Sequence, residues 1–436
     1  MGVSGRAGRD HAIVIGASMG GLLAARVLAD HFRAVTVLEG DAKPEGVQAR
    51  TGVPHGEQTH VLLPGGARVL DRLFPGRSEE LVRDGSKRFD YGGSRFHLIG
   101  NWMPRVETGL FSLAQTRPFL EEHLRCWVAR IPNVRILYKT SANALLFDGG
   151  SVVGVTLQPG RDLRADLVID AAGRNTRLPR WLAEHGCGTA PETHIGIGLG
   201  YTSARFRVPD RLAPDHPILY VVGRPPDQTR LGSVVSVEDG LVTGAVGGYH
   251  GDHPPGDLAG FLEFARSLHQ PHVFDILSRA EPVSPLVRFR HPASVRRHYG
   301  KLPGFPEGLL AIGDAVCCFD PAFGQGMTVS AMEAEVLADC LARGAPLAGY
   351  WKRIDRVISA AWALSCGENL KYPQTTGRRP LEYHLTRAYR DRLATCGDPY
   401  VTREFYRVLT LTAHPSILLR PGVVWRLVRN TPPVRS

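Results

Sequence analysis

The stretch LLAIGDAVCCFDPAFGQGM, residues 309 to 327, carries the most informative motif of the chain. An acid such as Asp314 at the end of a buried strand can accept hydrogen bonds from the hydroxyls of a polyol. A glycine-rich helix start, here 324–327, offers unpaired N–H groups and a partial positive charge. These properties suit a flavin, although an ordinary strand–turn–helix with a capping acid has the same local pattern. The helix that follows should share one apolar side, formed by Val329, Met332, Val336 and Cys340.

A second motif, Gly16-Ala17-Ser18-Met19-Gly20-Gly21, lies near the start of the chain. It follows the apolar run 12–15, and a second apolar run, 35–38, ends at Glu39. This strand–turn–helix–strand–acid layout binds the pyrophosphate and ribose of a dinucleotide. Ser18 replaces the usual middle glycine, a mild change because a small side chain still lets backbone amides approach the pyrophosphate. Glu39 favours a ribose with a free 2′-hydroxyl, as in FAD or NAD, over NADPH.

The two motifs are 298 positions apart (314 − 16), so they form one site only if the cofactor domain is discontinuous. Short β-like runs such as 218–222 and 233–237 alternate with Gly and Pro turns, which indicates an inserted antiparallel sheet. We therefore predict an α/β fold with a discontinuous Rossmann-like FAD-binding domain, an inserted antiparallel β-sheet substrate domain and a helical C-terminal region. The predicted ranges are 10–93, 114–190 and 285–345 for the FAD-binding domain, 94–113 and 191–284 for the substrate domain, and 346–436 for the helical region.

Composition limits the classes of function. The chain has 436 residues, 43% of them hydrophobic and 22% charged, which is typical of a globular enzyme with more than one domain. No apolar run approaches the ~20 residues that span a bilayer, and residues 1–10 lack the apolar stretch of a signal peptide. Seven scattered cysteines favour reduced thiols, and no Cys/His spacing indicates a metal site. We expect a cytoplasmic protein without a stable membrane span.

The net charge of +10 comes mostly from dispersed arginines, so we expect no nucleic-acid partner. One segment, 417–429, mixes apolar residues with arginines. It is compatible with contact with a membrane surface or a lipid-like substrate. Pro421-Gly422 interrupts it, which favours the packing of a C-terminal helix on the body of the protein.

Three motifs together resemble those of single-component (group A) flavoprotein monooxygenases, which have the para-hydroxybenzoate hydroxylase fold. A further segment, 50–56 with His60, and the Gly-Gln-Gly-Met ending resemble bacterial polyene epoxidases, which act on polyketides in antibiotic pathways and are distant relatives of squalene epoxidase. The three motifs, in chain order, are Gly16–Gly21 with Glu39, Asp170-Ala171-Ala172-Gly173-Arg174, and Gly313-Asp314 with Pro321 and Gly324-Gln325-Gly326.

The resemblance implies FAD as the cofactor, with NAD(P)H as electron donor either directly or through a separate flavin reductase. It also implies that the hard chemistry belongs to a flavin C4a-hydroperoxide. Arg50 and His60 are then candidate catalytic helpers beside the isoalloxazine. The residues implied to bind FAD are Gly16, Ser18, Met19, Gly20, Gly21, Glu39, Arg50, Arg117, Asp314, Pro321, Gly324, Gln325, Gly326 and Met327.

Two positions depart from the family pattern. Ala172-Gly173 stands where relatives have Asp-Gly, which puts direct use of NADPH in doubt and leaves a separate flavin reductase as a partner. Cys317 stands where many relatives carry histidine, and we interpret it as a packing residue.

The resemblance implies insertion of one oxygen atom from O2 into an apolar secondary-metabolite substrate, by epoxidation of a polyene or polyketide olefin. Aromatic polyketide hydroxylation by the same intermediate and non-redox, FAD-dependent polyene cyclisation stay open. A halogenase would carry Trp-x-Trp-x-Ile-Pro, and 127–132 lacks the second tryptophan, so we reject that activity. The aromatic residues that either line a substrate pocket or fill the sheet core are Tyr201, Phe206, Tyr220 and Tyr249.

Overall fold

The computed structural model describes residues 9–212, 214–344 and 347–429. The ends of the predicted helical region, 346 and 430–436, lie outside these residues. The strands are β1 His11–Ile15, β2 Ala34–Leu38, β3 Lys87–Asp90, β4 Arg95–Leu98, β5 Asn101–Trp102, β6 Phe111–Ala114, β7 Val134–Leu137, β8 Ala142–Asp148, β9 Ser151–Leu157, β10 Arg161–Arg164, β11 Leu167–Asp170, β12 Glu192–Arg207, β13 Ile218–Val222, β14 Arg230–Ser236, β15 Val242–Gly248, β16 Glu281–Pro282, β17 Val287–Arg297, β18 Leu309–Ala311 and β19 Cys317–Cys318. The helices are α1 Met19–Ala29, α2 Pro64–Leu73, α3 Arg77–Arg83, α4 Arg117–Ala129, α5 Leu178–Glu184, α6 Leu258–Arg266, α7 His272–Leu277, α8 Gly326–Ala342, α9 Ala348–Asn369, α10 Leu381–Thr395, α11 Pro399–Leu409 and α12 Pro421–Arg429.

A five-stranded parallel sheet brings the distant motifs together. Its order is β18-β11-β1-β2-β7, and each neighbouring pair is parallel. The carboxyl ends of parallel strands meet at one edge, where ligands of open α/β sheets bind. The turn after β1 and the turn after β18 are therefore separated by a single strand, β11, whose own end leads into the Ala172-Gly173 motif. The pairing of β11 with both neighbours explains how residues 298 positions apart (314 − 16) share one site.

A second, largely antiparallel sheet contains nine strands in the order β19-β17-β12-β15-β14-β13-β4-β5, with β16 also paired to β12. Strands β4 and β13 are parallel neighbours within it. β17 lies in the range 285–345 assigned to the cofactor domain, yet it pairs with β12 along most of its length. By strand pairing, this sheet therefore includes β17 up to Arg297 and also the short strand β19. The domain boundaries themselves stay a prediction.

Helix α8 is the central helix of the cofactor-binding part. It packs against α1, α2 and α9. Val329 and Cys340 are buried as expected, but Met332 and Val336 are only half-buried. All four residues pack in or against the hydrophobic core, and the helix also buries residues on its other sides because three helices enclose it.

The C-terminal region is helical, and α11 and α12 pack together. Helix α12 buries Val423 and Leu427, whereas Trp425 and Val428 are exposed. No helix within the described residues is both long and apolar enough to cross a membrane. The structure thus has the predicted α/β architecture, with a Rossmann-like parallel sheet, an antiparallel sheet and a helical C-terminal region.

Candidate cofactor and substrate site

The turn after β1 requires glycine at two positions because the backbone packs closely there. Gly16 has a φ of +102°, and a Cβ on it would lie 2.5 Å from the carbonyl oxygen of Ala171. A Cβ on Gly21 would lie 1.9 Å from the carbonyl oxygen of Gly16. Both distances are far below van der Waals contact, so only glycine fits. The turn delivers the start of α1, with Met19 and Gly20, to the wall of a large cavity.

Ser18 precedes α1, but its side chain does not cap the helix. Its hydroxyl instead donates to Oε1 of Glu121 (2.6 Å) and accepts from Nη2 of Arg117 (2.9 Å). The first-turn N–H groups of α1 therefore remain available to an anionic ligand. This is the arrangement that the fingerprint predicts for a pyrophosphate.

Glu121 joins the two arginines that the sequence assigned to the site. Nε of Arg117 donates to its Oε1 (2.9 Å), and Nη2 of Arg50 donates to its Oε2 (3.1 Å). Burial tends to raise the pKa of Glu121, but the charges of Arg117 and Arg50 outweigh it and lower that pKa to about 2. Glu121 is therefore ionised and holds both guanidinium groups in place. The sequence analysis did not select it, although a spacing of four positions from Arg117 is the one at which opposite charges pair on a helix.

Glu39 lies at the end of β2, as predicted, and is buried. Its Oε2 accepts from the N–H of Ala17 (3.0 Å) and from Nη1 of Arg50 (2.7 Å), and its Oε1 accepts from the N–H of Asp41 (2.9 Å). Arg50 thus lies at the glycine-turn end of the cavity. Burial tends to lower the pKa of Arg50, but the charges of Glu121 and Glu39 raise it overall.

Asp314 lines the same cavity, two strands away from Gly16. Among the described residues, none donates a hydrogen bond to its carboxylate. Burial raises the pKa of Asp314, while the positive charges of Arg117, Arg174 and Arg297 oppose the rise. Asp314 is half-buried on the cavity wall, so its carboxylate is open to the hydroxyl groups of a ligand.

The large cavity has a volume of about 900 Å³ and extends from Gly16 and Glu39 to Asp314 and the 324–327 turn. Two buried acceptors at its far end, Oγ1 of Thr59 and Oε1 of Gln325, have no hydrogen-bond partner among the described residues. The cavity therefore offers helix N–H groups at one end, a free carboxylate in the middle and unpaired polar atoms at the other end. This donor and acceptor set fits the pyrophosphate, the ribityl chain and the polar ring edge of FAD. Pro321, Gly326 and Met327 line it as well.

Two histidines of the 50–60 loop face Arg117. Its Nη1 donates to Nε2 of His55 (2.6 Å) and lies 3.3 Å from Nε2 of His60. His60 donates through Nδ1 to the carbonyl of Gln58 (2.9 Å), which fixes Nε2 as its acceptor. Burial and the charge of Arg117 lower the pKa of His60 to about 3 and that of His55 to about 2. Both rings are neutral at ordinary pH.

Gln58 anchors this loop on the large sheet. Its Nε2 donates to the carbonyl of Val287 (3.0 Å), and its Oε1 accepts from Ser203. The loop that carries His55 and His60 therefore connects the cofactor cavity to the antiparallel sheet. Neither contact is visible in the sequence, since the partners lie more than a hundred positions away.

A second cavity, of about 230 Å³, lies between the antiparallel sheet and the C-terminal helices. Its walls are mostly apolar, and Tyr220 and Tyr249 line it, which is one of the two roles left open for them. Phe206 does not, because it packs on Phe261 in the core of the sheet. The two cavities share a boundary formed by Thr59, Val61, Tyr201, Pro321, Gly324 and Gln325.

A buried acid adjoins this boundary. Asp320 is fully buried and accepts from the hydroxyl of Tyr249 (2.9 Å), Nδ2 of Asn369 (2.9 Å) and the N–H of Ala322 (2.9 Å). Burial raises the pKa of Asp320, and the three donors oppose the rise. The sequence analysis did not select Asp320, because its partners come from β15 and α9.

The remaining motif positions differ in whether they reach a cavity. Ala172, Gly173 and Arg174 line the large cavity, and Asp170 accepts from the N–H of Ala172 (3.0 Å). Cys317 is buried in β19 and lines neither cavity. No group of His, Cys, Asp and Glu residues in the described part of the chain is arranged to hold a metal ion.

Comparison with known proteins agrees with this geometry. No family model matches the chain. Protein Rv3254 of Mycobacterium tuberculosis is 36% identical over 366 residues, which cover 80% of this chain and 77% of that protein. The matched part therefore contains most of both chains.

Solved structures show the same fold at low identity. The flavin-dependent brominase Bmp2 superposes with a TM-score of 0.67 and 17% identity, covering 96% of this chain and 98% of that one. The Diels-Alderase PyrE3 superposes with a TM-score of 0.62 and 18% identity, covering 92% of this chain and 80% of that one. PqsL of Pseudomonas aeruginosa, a probable FAD-dependent monooxygenase, has a TM-score of 0.59 at 17% identity (91% and 100%). The chain belongs to the family of protein Rv3254, and its fold is that of the FAD-dependent monooxygenases.

Proposed function

We propose that the protein is an FAD-dependent monooxygenase that inserts one oxygen atom from O2 into an apolar secondary-metabolite substrate, by epoxidation of a polyene or polyketide olefin. The observation that carries the proposal is the shared boundary of the polar cavity and the apolar cavity, at Thr59 and Gln325. Oxygen transfer needs cofactor and substrate in contact, in a place from which water is excluded. Two cavities that meet in this way supply that arrangement.

FAD, when bound, supplies the oxygen-activating chemistry. The turn Gly16–Gly21 and the start of α1 would hold its pyrophosphate, and Glu39 its adenosine ribose. Asp314, whose carboxylate has no described donor, would accept from the ribityl hydroxyls. The 324–327 turn would meet the ring edge, where helix N–H groups stabilise negative charge.

Arg50 and His60 stay our candidates for helper residues, with positioning roles. Arg50 contacts Glu39 and Glu121, so it would fix these two carboxylates rather than touch the reacting atoms. His60 offers Nε2 as an acceptor toward Arg117, and would hold that guanidinium against the cofactor. Neither residue needs to exchange a proton during turnover.

The walls of the apolar cavity favour an olefin over a polar substrate. The hydroxyl of Tyr220 already donates to the carbonyl of Ala322 (2.8 Å), and the hydroxyl of Tyr249 donates to Asp320. The aliphatic residues Leu199, Ile218 and Leu231 form much of the remaining wall. A substrate held by shape in such a wall keeps its double bond near Gln325 while water is excluded.

Aromatic hydroxylation is the second candidate, and the contact between Tyr249 and Asp320 favours it. A phenolic substrate could donate its proton to the oxygen of Tyr249, which in turn donates to Asp320. An Asp320→Asn variant would remove that proton acceptor while keeping the shape of the side chain. Loss of turnover with phenols but not with olefins would support this second candidate.

The test uses the purified full-length protein loaded with FAD. The flavin is reduced chemically under nitrogen, mixed with a linear polyene or a phenolic polyketide, and exposed to isotopically labelled O2. Mass spectrometry should find one labelled oxygen atom in the product. Product without labelled oxygen, or turnover without O2, would contradict the monooxygenase and favour the cyclase, a reaction compatible with this fold because PyrE3 is a Diels-Alderase.

The electron donor is tested separately. We propose that Ala172, which replaces an acid of the family pattern, makes direct reduction by NADPH slow. NAD(P)H alone should then bleach the flavin slowly, and an added flavin reductase should restore turnover. An Ala172→Asp variant that gains direct reduction would support this assignment, and rapid direct reduction of the wild type would contradict it.

A further inference from the structure

The apolar cavity has one charged group that its apolar walls do not explain. Among the described residues that line it, Arg390 of α10 is the single cationic side chain, and Glu368 is the single carboxylate. Arg390 is half-buried, so it lies where the cavity approaches solvent. A cation beside an apolar volume is costly unless a partner neutralises it.

The position of Arg390 is fixed by α9. Its Nη1 donates to the carbonyl of Ala363 (2.9 Å) and its Nη2 to that of Gly367 (3.4 Å), while its Nε is buried without a partner. A Cβ on Gly367 would lie 1.9 Å from Nη1 of Arg390. The guanidinium therefore rests on the helix at the point where the helix has no side chain.

The nearby carboxylates are engaged elsewhere. Nζ of Lys371 binds Oε2 of Glu368 (2.6 Å) and Oδ1 of Asp391 (2.5 Å). Arg379, a further cation in this region, donates to backbone carbonyls, including that of Tyr372 (2.9 Å). Among the described residues, Arg390 thus has only carbonyl partners, and no carboxylate forms an ion pair with it.

We propose that the apolar cavity takes an amphipathic carboxylic acid, whose carboxylate binds Arg390 and whose apolar chain extends toward the boundary at Gln325. A carboxylate would neutralise the charge of the guanidinium, with which no described carboxylate forms an ion pair. The apolar walls match the chain of the acid. This inference rests on the proposed function, because it names the chemical class of the substrate at the same site.

The test compares an acid with its ester in the FAD-loaded protein. The probe is cis-parinaric acid, a conjugated tetraene acid whose fluorescence rises in an apolar cavity, and its methyl ester has the same chain without the charge. Arg390→Gln should weaken binding of the acid by about tenfold, the loss expected for a charge-assisted hydrogen bond. The same variant should leave binding of the ester within about twofold.

Gly367→Ala provides a second variant that keeps the charge. The new methyl group displaces the guanidinium and raises the intrinsic helix propensity at this position of α9, so the fold should not suffer. Gly367→Ala should weaken binding of the acid but not of the ester, as Arg390→Gln does. The matched control is Arg387→Gln, which removes an exposed arginine from the same helix that lines neither cavity, and it should change neither affinity.

Equal weakening of acid and ester in Arg390→Gln, no change in either, or no binding of the acid by the wild type would overturn the inference. Flavin absorbance and incorporation of labelled oxygen into a neutral polyene are measured on the same samples. If the flavin absorbance and the oxygen incorporation persist while Arg390→Gln does not weaken binding of the acid relative to the ester, the inference alone fails. If the acid prefers Arg390 but no oxygen is incorporated, the proposed function fails and the acid site stands.

Discussion

The backbone N–H of Gly313 donates a 2.6 Å hydrogen bond to Oε2 of Glu333, a fully buried carboxyl on α8. This bond joins the turn that carries Asp314 to the central helix. Burial raises the pKa of Glu333 to about 8, and the charge of Asp314 adds to the rise. The turn that carries Asp314 is therefore held by a group that is neutral over most of the physiological range.

The pKa of Glu333 is about 8 in the folded chain and about 4.5 when unfolded. Between these values the unfolded chain binds fewer protons, so the free energy of unfolding should fall as pH rises from about 4.5 to 8. Glu333→Gln cannot ionise and keeps an acceptor for Gly313. Relative to this variant, the free energy of unfolding of the wild type should fall by on the order of 3 kcal/mol between these two pH values. Urea denaturation in excess FAD at several pH values measures the free energy of unfolding. A difference between the two proteins that stays constant with pH would contradict the prediction.

Asp314→Ala should weaken FAD binding by about ten- to a hundredfold, because it removes a carboxylate proposed to accept from the ribityl hydroxyls. Stability without FAD should change little or increase, since no described residue donates to this carboxylate. Flavin fluorescence titration measures the affinity. Asp339→Ala, an exposed acid on α8, is the control and should bind FAD like the wild type. Full FAD occupancy in Asp314→Ala would remove the cofactor-site assignment.

Gly21→Ala should destabilise the protein by about 3 kcal/mol or more and abolish FAD binding, because the new Cβ would overlap the carbonyl oxygen of Gly16. Gly349→Ala makes the same change in helix α9, where a Cβ would contact nothing. That control should be stabilised by roughly 0.5–1 kcal/mol, the helix propensity difference. Thermal unfolding distinguishes the two, and equal effects would contradict the requirement for glycine in the turn.

Thr59→Val removes a buried hydroxyl at the boundary of the two cavities, for which the described residues offer no hydrogen-bond partner. Stability should stay within about 0.5 kcal/mol of the wild type. If the hydroxyl contacts cofactor or substrate, kcat/KM should fall by about tenfold. Thr202→Val is the control, because its Oγ1 donates to the carbonyl of Pro255 (3.1 Å) away from both cavities, so it should lose stability but not activity. Full activity in Thr59→Val together with lost activity in Thr202→Val would contradict the placement of Thr59 at the boundary of the cofactor and substrate sites.

Local sequence patterns predicted many elements because each depends on residues close together in the chain. The apolar runs 12–15 and 35–38 lie in β1 and β2, and the run 218–222 is β13. For α8 the sequence indicated an apolar side but not how deeply each of its residues is buried. Its burial depends on three neighbouring helices, and no periodicity within the helix reveals them.

The candidate site was predictable where a motif has a backbone reason. Gly16 and Gly21 follow from steric limits that hold in any strand–turn–helix of this type. The contacts between side chains of the site were not predictable. Glu121 binds Arg50, which is 71 positions away, and Asp320 binds Tyr249 at the same separation. Sequence spacing does not encode such contacts between separate elements.

The sequence by itself determined the α/β fold and predicted two halves of a dinucleotide site, because those features depend on local turns, strand periodicity and small residues. Only the tertiary structure decided that the two motifs meet across β11 and that a second, apolar cavity opens beside Gln325. It also decided that Arg390 lies in the wall of that cavity without a carboxylate partner among the described residues. Cavities and ion pairs arise from residues far apart in the chain, so their geometry exists only when the sheets and helices are packed together.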